Sequence, residues 1–277
     1  WPRRFRSSRP RSSSLLLPRV SSRDRKILFL GDVVGRPGRR FLKERLSAYR
    51  KEHDFDLVVA NGENAAGGAG ITGKIALELL GCGIDALTLG DHVWDQKNFN
   101  NEIDGLALVC RPANLHSSNP GRPRLVVAKN GFRLGIFTVL GRSFMKLNVD
   151  CPFATADRIV EEFREKTDAI LVEIHAETTA EKVAFGWHMD GKVAAVLGTH
   201  THIPTADGRI LPAGTAYQTD VGMTGPRQSV IGRQVESCVD RFLDGLPRKC
   251  LVAEGDVGFQ GVVVEIDHNS CIARSIR

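Results

Sequence analysis

From Lys26 onward, short apolar runs alternate with amphipathic stretches. Runs rich in Val, Ile and Leu occur at 26–32 (KILFLGD), 56–64 (DLVVANGEN), 85–92 (DALTLGDH), 169–177 (AILVEIHAE) and 193–202 (VAAVLGTHTH). Each is short and apolar on both faces, which predicts a buried strand. Two further strands, 124–130 and 132–141, meet at Asn130-Gly131, a hairpin-turn dipeptide. Short strands are also expected near 217–219 and at 261–267. Between them, 41–53 places Phe41, Leu42, Arg45, Leu46 and Tyr49 at intervals of three to four, the helical period. Residues 73–83, which end in Gly, and 155–167 and 182–189 read as helices too. Buried strands alternating with helices predict an α/β fold with helices covering the strands. No repeat or linker divides 26–277, so this stretch reads as one domain.

Composition adds little except in its distribution. The 277 residues are 42% hydrophobic and 25% charged, ordinary values for a globular chain. No apolar run approaches about 18 residues, which excludes a membrane-spanning helix. The formal charge is +6, but residues 1–26 hold eight Arg and one Lys against one Asp, so the rest is net −2. That balance, with 6% aromatic residues, argues against a stable nucleic-acid complex. Residues 1–25 are expected to form a basic, disordered leader outside the core; an organellar transit peptide is the alternative. The six cysteines contain no C-x-x-C pair, which points to reduced thiols and a cytoplasmic location. The sequence leaves a homo-oligomer open.

The candidate chemistry sits where the strands end. Five apolar runs close on residues able to bind metal: Asp32, Glu63-Asn64, Asp91-His92, His175, and His200-Thr201-His202. In open α/β sheets, ligands bind beyond the carboxyl ends of strands, so these residues should converge on one rim. Carboxylate, imidazole and amide donors without thiolate suit Fe, Mn or Zn. Eight candidates exceed the needs of one ion, and two ions sharing a carboxylate would catalyse in-line phosphoryl displacement. His200 and His202, two apart on extended chain, are expected to point the same way. His53, His116, His188 and His268 read as structural or solvated. The glycines of Gly31-x-x-x-Gly35-x-x-Gly38 do not match a nucleotide loop and are expected to let backbone pass close to the rim. Lys74, Arg111, Arg142 and Arg227 are cations that could reach a phosphate, although a solvated charge explains each.

The segments GDVVGRPGR (31–39), NGENAAGG (61–68), GDHVWD (90–95), RPAN (111–114), HAETTAEK (175–182) and LGTHTHIPTADGRILPAGTAYQTDVGMTGP (197–226) resemble the YmdB-type family of metallophosphoesterases. The resemblance runs from Lys26 to the C-terminus. It implies a calcineurin-like fold with two central β-sheets flanked by helices, and a centre of two divalent ions, iron or manganese; zinc is allowed by the donor set alone. It also implies hydrolysis of cyclic nucleotides, both 2′,3′-cyclic and 3′,5′-cyclic monophosphates. Carried onto this chain, Asp32, Asn64 and His202 would hold one ion, Asp91, His175 and His200 the other, and Glu63 would bridge them. His92 would donate a proton to the leaving group without binding metal, while a hydroxide activated by both ions attacks phosphorus. The family usually has Gly-Asn-His where this chain has Gly90-Asp91-His92, an added negative charge. A metal-containing regulatory or nucleotide-sensing protein with impaired catalysis is therefore the alternative to an enzyme.

Overall fold

A computed structural model of the chain describes residues 23–277. The expected leader lies outside the described residues as far as Ser22. In chain order come β1 (Arg25–Leu30), β2 (Asp32–Val33), α1 (Gly35–His53), β3 (Leu57–Asn61), α2 (Gly73–Gly81), β4 (Ala86–Thr88), the one-turn α3 (Phe99–Glu102), β5 (Val109–Cys110), β6 (Leu125–Lys129), β7 (Phe132–Leu140) and α4 (Pro152–Phe163). There follow β8 (Ala169–His175), α5 (Thr179–Met189), β9 (Ala195–Thr199), β10 (Arg209–Ile210), β11 (Ala216–Gln218), β12 (Met223–Pro226), α6 (Val235–Asp244), β13 (Val257–Gly258), β14 (Gly261–Ile266) and β15 (Ala273–Ile276).

Two six-stranded sheets carry the molecule, in the orders β15-β14-β1-β3-β4-β5 and β10-β11-β9-β8-β7-β6. Their centres are parallel, β1 with β3 and β4 in one and β7 with β8 and β9 in the other. Within each sheet these strands thus deliver their carboxyl ends in a common direction. The sheets face each other across a core that includes Ile27, Phe29, Leu57, Val59, Leu134, Leu171, Leu197 and Val264. On the outer face of the first sheet, Leu28, Leu30 and Val58 pack with Leu42 and Leu46 of α1 and Leu79 of α2. On the second, Val172, Ile174 and Val196 meet Ile159 and Phe163 of α4 and Phe185 of α5. Ile27 and Phe29 of β1 thus face the other sheet while Leu28 and Leu30 face helices. This period-two division gives an apolar run with no polar face.

The strand expected over 26–32 divides at Gly31. Its second piece, β2, joins a three-stranded sheet ordered β13-β12-β2. A Cβ at Gly31 would lie 1.9 Å from the carbonyl oxygen of Gly222, so the break lets two backbones cross. The expectation that this glycine loop makes room at the rim is therefore corrected for Gly31, which makes room for the chain entering β12. Helix α1 starts at Gly35, earlier than position 41, because Gly35 turns the chain at φ +59° and Pro37 is tolerated in a first turn. All six cysteines are unpaired thiols. Among the described residues, no helix is long and apolar enough to cross a membrane.

Candidate metal centre

Asp32 lies in β2, Glu63 and Asn64 just beyond β3, Asp91 and His92 beyond β4, His175 at the end of β8, and His200 and His202 beyond β9. The structure brings all of them to one rim. Asp32, Glu63 and His175 are fully buried, and Asn64 nearly so.

Their donor atoms form two adjoining groups. In one, His175 Nε2 is 3.0 Å from both Glu63 Oε1 and Asp91 Oδ1 and 3.1 Å from His200 Nδ1. His200 Nδ1 is in turn 3.2 Å from Asp91 Oδ1. Donor atoms of these four residues lie within 4.8 Å of one another, close enough to hold one ion. In the other, Asn64 Nδ2 lies 3.3 Å from Asp32 Oδ1 and 3.2 Å from His202 Nε2. The same nitrogen is 3.2 Å from Glu63 Oε1, which puts Glu63 in both groups. A half-turn of the Asn64 amide would present Oδ1 to the same point.

Charge explains why this cluster suits cations. Burial pushes the Asp32 carboxyl above its usual range despite the pull of His202 and His175. Burial would also raise Glu63, but the adjacent His175 outweighs it and holds the group below the usual value. Burial opposes ionisation of Asp91 as well, yet hydrogen bonds from His175 and His200 drive it well down. His175 shows the reverse balance: burial disfavours its charge, while Glu63, Asp91 and Glu173 together hold it well above the ordinary imidazole value. Two buried carboxyl groups and the partly buried Asp91 facing one another require positive charge nearby, which imidazolium or a metal ion supplies. Oxygen and imidazole donors in two contiguous groups fit a pair of divalent transition ions.

The expected parallel alignment of His200 and His202 on extended chain does not occur. Both have left-handed backbones, φ +95° and +64°, and their imidazoles serve different groups. His202 Nδ1 donates to Ile231 O at 3.0 Å, which aims Nε2 at Asn64. His200 Nε2 lies 3.1 Å from Glu177 Oε2, so this carboxylate accepts from Nε2–H and leaves Nδ1 to face the cluster. Behind His175, Nδ1 donates to Thr199 Oγ1 at 2.8 Å, and that hydroxyl donates to Glu173 at 2.5 Å. Asn61 and Thr138 also donate to the buried Glu173. Glu173 was legible as a charge two residues before His175 in an apolar strand, hence on the same face.

The turn carrying Asp91 and His92 approaches closely. A Cβ at Gly90 would lie 2.2 Å from Glu63 Oε2 and 2.4 Å from His175 Nε2. His92 N donates to Glu63 Oε2 at 3.0 Å, and His92 Nδ1 donates to Asp95 Oδ2 at 2.6 Å. Asp95 thus fixes the ring and leaves Nε2 for a ligand. The loop after β9 rests on a fully buried ion pair, Lys182 Nζ to Asp220 Oδ2 at 2.8 Å, whose carboxylate also accepts from Thr201. Neither partner was singled out from the sequence, because an amphipathic lysine gives no sign of its burial.

The donors open into a cavity of about 270 Å³ lined by Glu63, Asn64, His92, Glu177, His202 and Arg233, among others. The four cations proposed from sequence lie elsewhere: Arg111 is buried on carbonyls of Pro112, Asn119 and Pro120, and Arg227 pairs with Asp256. Lys74 and Arg142 do not line the cavity. His188 pairs with Asp157 and His116 with Ser118, while His53 stacks on Phe55 and His268 lies near Asp24.

Two facing sheets flanked by helices, with carboxylates and imidazoles gathered at the strand ends, define a calcineurin-like metallophosphoesterase fold. The model of the YmdB-like protein family matches residues 28–277, and the chain belongs to that family. It is 45% identical over 242 residues to a 2′,3′-cyclic-nucleotide 2′-phosphodiesterase of Bacillus subtilis (strain 168), covering 87% of this chain and 91% of the relative. A crystal structure of a novel phosphatase from Mycoplasma pneumoniae superposes with a TM-score of 0.86 at 35% identity, covering 93% of each chain. A hypothetical protein from Thermus thermophilus superposes with a TM-score of 0.81 at 41% identity, over 91% of this chain and 96% of that one.

Proposed function

We propose that this protein is a dinuclear-metal-dependent phosphodiesterase that hydrolyses 2′,3′-cyclic nucleotides and also accepts 3′,5′-cyclic monophosphates. The observation that carries this reading is the pair of donor groups sharing Glu63 at the floor of a cavity walled by His92. The name of the 45% identical relative supports the choice of substrate. Asp32, Asn64 and His202 are assigned to one ion, Asp91, His175 and His200 to the other, and Glu63 to both. Iron or manganese is the expected metal, with zinc as the alternative. When bound, such a pair supplies hydroxide near neutral pH and offsets the charge gathering on phosphorus.

The chain's own residues do the rest. The carboxylates and imidazoles hold the cations in fixed positions. Asp95 orients His92, whose Nε2–H donates to the ribose oxygen leaving phosphorus. Unpaired thiols fit a reducing compartment such as the cytoplasm.

Turnover of 2′,3′-cyclic AMP by protein reconstituted with Mn²⁺, beside elemental analysis, tests the reading. About two equivalents of metal per chain and release of the 3′-nucleotide are expected. Metal content near zero after reconstitution would overturn the ligand assignment. Two bound ions without turnover would favour a nucleotide-sensing role, to which Asp91 lends its extra negative charge.

A further inference from the structure

We infer that Arg233 is the phosphate-holding wall of this cavity, a guanidinium that grips a non-bridging oxygen of the singly charged phosphodiester. The inference rests on the phosphodiesterase reading above. Arg233 is the lone Lys or Arg among the residues that line the cavity. Its guanidinium is anchored by neutral groups. Nη1 donates to the carbonyl oxygens of Gly67 at 3.2 Å and Cys250 at 3.3 Å, and Nη2 donates to that of Gly68. Among the described residues no carboxylate pairs with it, so its charge stays available. Of the five N–H donors of a guanidinium, those contacts use three, which leaves Nε–H and one Nη2–H for a ligand.

The position is built on both sides. Gly68 adopts φ +86°, and a Cβ there would lie 2.6 Å from the Arg233 guanidinium carbon, so the glycine clears the space in which the cation lies. On the other side Arg233 and Val230 exchange backbone hydrogen bonds at 2.9 Å, and Ile231 within that turn accepts from His202. The turn that presents the guanidinium therefore also orients a proposed metal ligand.

Electrostatics gives the residue its task. The proposed cations balance the negative charge of Glu63, Asp91 and Glu177, so Arg233 supplies a positive charge for the phosphate beyond theirs. Its planar fork matches phosphate oxygens better than a lysine ammonium does. Because backbone carbonyls already immobilise it, little reorganisation is needed on binding.

The test compares wild type, Arg233→Gln and Arg233→Lys as Mn²⁺-loaded enzymes. Inhibition by inorganic phosphate, an anion, is set beside inhibition by adenosine, which is neutral. Arg233→Gln should raise the phosphate inhibition constant and KM for 2′,3′-cyclic AMP about 10- to 100-fold, the worth of a charge-assisted hydrogen bond. Adenosine inhibition should stay within about twofold, and Arg233→Lys should fall between. An unchanged phosphate constant, or an equal rise for phosphate and adenosine, would overturn the inference, because the latter marks a merely structural role. If Arg233→Gln does not fold, the phosphate constant of Arg233→Lys decides alone: no rise sinks the proposal. If wild type lacks turnover, the phosphodiesterase reading fails, and calorimetric phosphate binding to wild type and Arg233→Lys still judges Arg233.

Discussion

Asp91 contributes a negative charge where the resemblance in sequence implies a neutral amide, and it lies against both His175 and His200. An anionic donor binds a cation more tightly but lowers its Lewis acidity. Asp91→Asn should therefore lose metal faster to a chelator, yet turn over faster near pH 7 with a profile shifted to lower pH. Rates from about pH 5.5 to about 9.5 with saturating Mn²⁺ check this, and an unshifted profile would show that residue 91 does not tune the reaction. His92→Ala should lower turnover of 2′,3′-cyclic AMP about 10²- to 10⁴-fold while metal content holds, with a smaller loss on nitrophenyl diesters. Loss of an ion in this variant would instead make His92 a ligand. Tyr217, fully buried in the second sheet, offers a check on the fold itself. Burial pushes its hydroxyl up to about 12 despite the hydrogen bond to Thr219. The folded state thus keeps a proton that the unfolded chain releases near pH 10, so this contribution to stability is complete below about pH 10 and is lost as pH rises toward 12. In Tyr49→Phe, which leaves Tyr217 as the single tyrosine, absorbance at 295 nm should titrate near 12 rather than 10. The rim residues were legible because each ends an apolar run. Asp95, Glu177 and Arg233 were not, since loop residues carry no periodic signal of where they end up.

At the scale of elements, legibility followed length. The seven- and nine-residue strands β8 and β7 and helix α2 lie close to the limits expected from pattern. The two-residue strands β2 and β13 lay below what periodicity resolves, whereas α6 was missed although Val235, Cys238, Val239, Phe242 and Leu243 fall at helical spacing. The alternation rule also failed beyond β9, where the chain leaves extended geometry at His200. That loop depends on the Lys182–Asp220 pair at the join of α5 and β11. Lys182→Met would strand a buried carboxylate and should destabilise the fold by about 3–5 kcal/mol. Lys182→Met with Asp220→Asn should recover part of that loss. Urea unfolding of both variants checks the order, and equal stability of wild type and Lys182→Met would show that the pair is dispensable.

For the whole molecule, the slightly acidic body and the basic N-terminus behave as separate regions of charge. Composition set the boundary at Lys26, whereas Arg25 already belongs to β1, Arg23 pairs with Asp54 and Asp56, and Asp24 pairs with Arg274. A chain beginning at Arg23 should melt like the 277-residue chain, and one beginning at Lys26 should melt lower, as calorimetry would show. The two-sheet division has a further consequence. Each proposed ion draws donors from both sides of the central core: Glu63 and Asp91 follow strands of the first sheet, and His175 and His200 belong to the second. Asn64 and His202 divide in the same way. Cations placed there would act as rivets between two plates, so affinity for them is inseparable from cohesion of the fold. Stripping them should leave the plates joined by the core alone, and titrating Mn²⁺ back should raise the melting temperature with the logarithm of its concentration. At about a hundredfold excess over Kd each ion is worth about 2.7 kcal/mol. A melting temperature indifferent to Mn²⁺ would mean that the rivets do not span the seam. If they do, the protein's thermal limit is set in part by how much metal its surroundings can spare.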